Sequence, residues 1–60
     1  MLQHSLLRLV DVCRHTALAK STIYLYISQG AFPRPVRLGA GRVAWRLEEV
    51  ENWIASRQAT

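Results

Sequence analysis

The sequence predicts a small α+β fold, mostly α, with elements in the order α-α-β-β-α, and three observations carry that expectation. Apolar residues recur at helical spacing in three segments, Leu9–Thr16, Lys20–Gln29 and Leu47–Arg57. The run Phe32-Pro33-Arg34-Pro35 cannot continue the second helix, because proline lacks an N–H and biases its predecessor to extended geometry. Beyond it, Val36–Leu38 and Val43–Arg46 alternate with period 2 around the tip Gly39-Ala40-Gly41-Arg42, the pattern of a β-hairpin.

Taken in order, residues 1–8 read as a flexible N-terminal arm and residues 9–57 as the folded domain. In the first helix Leu9, Val12 and Cys13 fall at i, i+3 and i+4, one face, with Arg14 and His15 at its end. Ala17, Leu18 and Ala19 form a short connector in which Leu18 plugs the core. The second helix ends at Gly30, a residue suited to the left-handed position just past a helix. At 100° per residue its Ile23, Tyr26 and Ile27 point one way, while Ser21, Thr22, Leu25, Ser28 and Gln29 point the other, with Tyr24 at the border. That outward face is short, neutral and free of acids, which suits close approach to a base-pair edge.

Period 2 sorts the hairpin into an inner face of Val36, Leu38, Val43 and Trp45 and an outer face of Arg37, Ala44 and Arg46, with Arg42 at the tip. The last helix places Leu47, Val50, Ile54 and Arg57 on one face, with Trp53 beside them. Its Glu48 and Glu49 lie in the first turn, where they complement the positive end of the helix dipole. Trp45 and Trp53 are read as core residues.

With 60 residues the chain forms one domain with a marginal core, since chains this short bury only about 60% of their unfolded surface. Half of the residues are hydrophobic and 20% are charged, so the chain should fold. The single Cys13 cannot form an internal disulfide, which fits a reducing cytoplasm. No run approaches the roughly 20 apolar residues of a membrane span, and no signal peptide is evident. The net charge is +4, and its distribution matters more than its size. From Lys20 to Arg46 there are five basic residues and no acid, while Glu48, Glu49 and Glu51 crowd the segment that follows. A one-sided basic region points to a polyanion, most often nucleic acid.

Catalytic and metal chemistry find little support. Cys13, His15 and His4 fall short of a closed four-ligand zinc site, so no metal or other cofactor is expected. Gly39-Ala40-Gly41-Arg42 lacks the length and the following Lys-Ser/Thr of a nucleotide loop. An enzyme is not expected.

Two helices joined by a tight turn and followed by a hairpin wing make a small winged helix-turn-helix, a recurrent DNA-docking plan. Several residues in this order resemble the AlpA family of phage-type regulators, related to excisionases and to the winged domains of MerR-like proteins. They are Ser21-Thr22-Ile23-Tyr24, Gly30 with Phe32-Pro33, Pro35-Val36 with Leu38-Gly39, and Val43 with Trp45-Arg46 ahead of a helix carrying Val50 and Trp53. The likeness covers residues 7 to 57. It implies that the second helix enters the major groove and that the hairpin rests on an adjacent groove or the backbone. It also implies a role in transcriptional regulation or in excision of integrated elements, with double-stranded DNA as partner. Two positions depart from the family pattern: Leu25 stands where a basic residue is common, and Ala19 where a capping serine is common.

The expected contacts are therefore Lys20, Ser21, Thr22, Tyr24, Leu25 and Ser28 from the second helix, and Arg34, Arg37, Arg42 and Arg46 from the wing. Further expected partners are a second copy of the chain, cooperative or dimeric on DNA, and host transcription or recombination machinery. The expected location is the bacterial cytoplasm, on the nucleoid through DNA binding. A different class of reading stays open: a protein-binding adaptor or antagonist of a host factor with only non-specific DNA affinity, motivated by Tyr24, Leu25 and Tyr26.

Overall fold

The structure, a computed structural model, describes residues 5–57. Its elements are β1 (Leu6–Leu7), α1 (Leu9–Thr16), α2 (Lys20–Ser28), β2 (Val36–Gly39), β3 (Arg42–Arg46) and α3 (Leu47–Ala55). The predicted α-α-β-β-α order is present, and β1 precedes it. The three strands form one antiparallel sheet with β3 in the middle, in the order β1-β3-β2.

Local chemistry sets the helix ends. Before α1, Arg8 is extended, and its backbone N–H donates to the Asp11 carboxylate at 3.3 Å, which satisfies an amide that no helical carbonyl could reach. At the other end, the Thr16 hydroxyl donates to the Val12 carbonyl at 2.8 Å and accepts the Leu18 N–H at 3.3 Å. The chain reverses at Ala17, which takes left-handed angles (φ 60°, ψ 24°). Before α2 stands the extended residue Ala19, whose side chain offers no capping oxygen. The helix stops one residue before the predicted end, and Gly30 has the expected positive φ of 71°.

The core joins Leu7, Val12, Ile23, Phe32, Trp45 and Val50, one or more from nearly every element. Leu9, Cys13, Leu18, Tyr26, Ile27, Leu47 and Trp53 pack against it. Each fully buried aliphatic or aromatic side chain contributes roughly 1.5–3 kcal/mol of transfer free energy, so a handful of such residues holds a domain this small. The inward faces predicted for α1 and α2, and Leu18 as a plug, are all found in this cluster.

Three expectations are corrected. Of the stretch read as an arm, residues 1–4 lie outside the described residues, but Leu6 and Leu7 pair with Arg46 and Trp45. The Leu47 N–H also donates to the Ser5 carbonyl at 3.0 Å. In α3 Trp53 packs on the core as expected and Ile54 does not: the Trp53 ring meets Phe32 and Tyr26, and its indole N–H donates to the Ala31 carbonyl at 2.6 Å. Ile54 is exposed, and Arg57 lies past the helix end with its guanidinium 4.6 Å from the Trp53 ring centre.

The third correction concerns the hairpin. Val36 pairs with Ala44 and Arg37 with Val43, and residues directly across a ladder share a face. Trp45, Val43 and Arg37 therefore lie on one side of the sheet, and Arg46, Ala44 and Val36 on the other. Between Arg37 and Gly39 the register slips by one residue, leaving Leu38 without a partner. The sorting inferred from each strand alone was right within β3 and for Val36 against Arg37, but it missed the slip at Leu38 and was wrong across the pair. A one-residue change of register exchanges the faces, and nothing in either strand alone specifies that register.

Candidate nucleic-acid interface

The α2 helix is anchored by Ile23, which is fully buried, and its outward side carries the residues that helical period assigned to it. Lys20, Ser21, Leu25, Ser28 and Gln29 are exposed, and Thr22 is half-buried. Leu25 is 52% exposed and Tyr24 45%. The Ser28 hydroxyl is turned back to donate to the Leu25 carbonyl at 2.6 Å, so it presents its lone pairs outward more readily than its proton. No acid interrupts the helix.

Two tryptophans fix the wing relative to this helix. Trp45, fully buried in the central strand, donates its indole N–H to the Pro33 carbonyl at 3.0 Å. The edge of its ring also meets Tyr24 of α2, with centroids 6.5 Å apart and planes at 63°. Trp53 donates to Ala31 and packs edge-on against Phe32 at 4.8 Å. The segment 31–33 connecting α2 to β2 is thus held at two carbonyls and one ring. The sequence marked both tryptophans as core, but their role as clamps was not foreseen. A bulky indole near a proline-rich linker was the available signal, since a buried indole N–H needs an acceptor and such linkers offer free carbonyls.

All four wing arginines are exposed, but the sheet divides them. Arg37 stands on the Trp45 side, the side that meets α2 through Tyr24. Arg42 sits across from Gly39 beside the turn. Arg46 is on the opposite side from Arg37, directly across from Leu6, and forms the extended residue before α3. Four residue steps of strand, about 13 Å, separate it from Arg42. Arg34 lies in the linker. The structure therefore brings Arg37 and the α2 residues to one side of the sheet and sends Arg46 and, next to the turn, Arg42 to the other. Glu48, Glu49 and Glu51 are all exposed on α3, and Glu49 lines the same groove as Gly30 at the end of α2 and Arg34 of the linker.

Cys13 is half-buried against the core, and His4 lies outside the described residues. Among the described residues no three His, Cys, Asp or Glu side chains gather to hold a metal ion, and no helix is long and apolar enough to cross a membrane.

Residues 5–58 match the family described as prophage CP4-57 regulatory protein (AlpA). The chain is also 44% identical over 57 residues to an uncharacterized protein, ORF88, of Enterobacteria phage P4. That alignment covers 95% of this chain and 65% of the phage protein, so the chain spans just under two thirds of its relative's length. The ordered set of residues between positions 7 and 57 and the fold that carries it agree with this match. The chain belongs to the AlpA family of phage regulatory proteins.

Proposed function

We propose that the chain is a sequence-specific DNA-binding regulator of phage or mobile-element type, a transcriptional regulator, an excision directionality factor, or both. In this reading α2 lies in the major groove and the wing lies on the backbone or in the adjacent groove. It works without catalysis or cofactor, in the bacterial cytoplasm. The observation that carries it is the pairing of an acid-free, outward helix face with Arg37 on the same side of a wing that Trp45 ties to that helix.

Within that geometry the residues divide by chemistry. Ser21, Thr22 and Ser28 supply short hydrogen-bonding groups for base edges, and Leu25 supplies an apolar contact for a thymine methyl. Lys20, Tyr24, Arg34, Arg37 and Arg42 serve phosphates, which position the protein without reading sequence. Arg46 reaches DNA only if the duplex bends around the sheet, or it serves a second copy of the chain or a host protein.

A competing reading draws on Leu25, an exposed apolar side chain at the centre of α2, and makes the protein an adaptor for a host factor. One experiment separates the two. The protein is incubated with a pool of random duplexes at about 150 mM salt, and enriched sequences are titrated against scrambled competitor. A motif bound roughly a thousandfold better than bulk DNA is expected, with log K falling by about 0.9 per phosphate contact for each decade of salt. Salt-labile binding with no enrichment would favour the adaptor.

A further inference from the structure

We propose that Leu38 is an apolar wedge that enters the minor groove beside the α2 site and bends the duplex. The proposal rests on the DNA-binding reading above and adds to it a second activity, deformation of DNA. Leu38 is 58% exposed, more than any other large apolar side chain among the described residues. It has this position because of a specific backbone feature. The register slip between Arg37 and Gly39 leaves Leu38 as the unpaired residue of β2, and bulges of this kind re-aim a side chain. Without the slip, strand alternation would keep Leu38 on the same side as Val36, which is half-buried.

Its surroundings hold one other exposed apolar side chain, Val43 across from Arg37, and are otherwise cationic, which fits a polyanion. Arg37 precedes it in the strand and Arg42 stands across from Gly39, so cations flank the leucine on both strands and both sides of the sheet. Ala40 and Gly41 form the turn, and beyond the chain neighbours nothing lies within 4 Å of where a Cβ would project from Gly39 or Gly41, so no other element crowds the tip. An uncrowded tip can approach a minor groove, whose negative potential draws in the arginines. Apolar side chains inserted between base steps there partly unstack them and kink the duplex. The step that opens at least cost is pyrimidine–purine, TA or CA/TG.

The test uses the full chain and end-labelled duplexes of about 30 bp with random centres, donor dye at one end and acceptor at the other. Energy transfer reports the end-to-end distance of the bound fraction, and sequencing of that fraction reports the preferred steps. The wild-type protein is expected to shorten the end-to-end distance and to enrich a pyrimidine–purine step beside the motif read by α2. Leu38→Ala should bind with affinity lower by about tenfold, the worth of one partly buried leucine, and leave the duplex straight. It should keep the α2 motif and the salt slope while losing the preferred step. Leu38→Met should restore the bend. Because Leu38 is exposed, Leu38→Ala should melt with the wild type by circular dichroism, which separates a lost wedge from a lost fold. Equal bending by wild type and Leu38→Ala, or a straight wild-type complex, would overturn the wedge and leave the DNA-binding reading intact. Failure of the wild type to bind any duplex would overturn both.

Discussion

The two parts of the interface, α2 and the wing, are specified by different kinds of information. In α2 one buried anchor, Ile23, and the fixed pitch of the helix decide where every other side chain points. In the wing each strand decides only which residues alternate. The pairing of β2 with β3 decides which of the two sides each set occupies, and a single unpaired residue, Leu38, interrupts that pairing. A helix carries its register within itself, while a hairpin acquires its register from its turn and from what it packs on. Trp45 is where the two meet, since it lies in β3, touches Tyr24 of α2 and bonds the linker between them.

Breaking that junction should give the largest effect. Trp45→Ala removes a fully buried indole and should cost about 3–5 kcal/mol, enough to unfold much of a domain this size. Urea denaturation would measure it. Trp45→Phe is the milder version: it keeps one aromatic ring in the core, removes the bond to Pro33 and leaves a small cavity where the second ring stood. A loss of about 1–3 kcal/mol is expected, because a carbonyl is left unpaired in a partly buried site. DNA affinity at a temperature where the variant is still folded should fall as well, since α2 and the wing would no longer be held in one orientation. Unchanged affinity in a folded Trp45→Phe would show that the clamp is not needed for docking.

The next effect tests the division of the arginines. Arg37, on the α2 side, should contact phosphate more directly than Arg46, on the other side. Arg37→Ala is expected to weaken binding to all sequences by about tenfold and to reduce the salt slope by about 0.9. Arg46→Ala should change both by clearly less. Salt titrations of the two variants on one duplex decide the matter, and equal effects would restore the single cationic face that strand alternation alone suggested.

Much of this molecule was legible before its structure. The α1 and α2 faces followed from periodicity, and Gly30 marked the helix end through its tolerance of positive φ. What escaped had a physical reason in each case. Leu6–Leu7 is too short to show a period, and its pairing depends on Trp45 and Arg46, some 40 residues away. Trp53 and Ile54 both satisfy the spacing from Val50 and both were expected inside, but only Trp53 finds partners there, Phe32 and Tyr26, while Ile54 is exposed. Of the residues expected at the site, those of α2 lie on the outward face that helical period assigned, whereas the wing arginines lie on two sides of the sheet where one was expected.

Capping offers a smaller effect. Ala19 leaves the first amides of α2 without a side-chain partner, so Ala19→Ser should raise stability by about 1 kcal/mol. Because the gain lies at the start of the helix proposed to read DNA, the same variant should bind with equal or slightly higher affinity. A stability gain of nearly zero would mean that water already serves these amides as well as a serine would.

The smallest pair of effects compares the turn that leads into α2 with the turn at the tip of the wing. Ala17 and Gly41 hold nearly the same φ, 60° and 71°, one as alanine and the other as glycine. Left-handed angles cost an L-residue roughly 1 kcal/mol because its Cβ crowds the neighbouring carbonyl, whereas glycine adopts them freely. Ala17→Gly should therefore stabilise the domain by about 0.5–1 kcal/mol, after allowing for the greater freedom of glycine in the unfolded chain. Gly41→Ala should destabilise it by a similar amount. No atom stands within 4 Å of the new methyl group at position 41, so its cost is one of backbone geometry and not of a clash. Urea midpoints shifting in opposite directions by similar amounts would show that the turns are limited by the same backbone term. A neutral Gly41→Ala would instead mean that the wing tip relaxes out of its left-handed geometry, which an end pinned only by its own hairpin can do and the helix-to-helix turn, closed by Thr16 and Leu18, cannot.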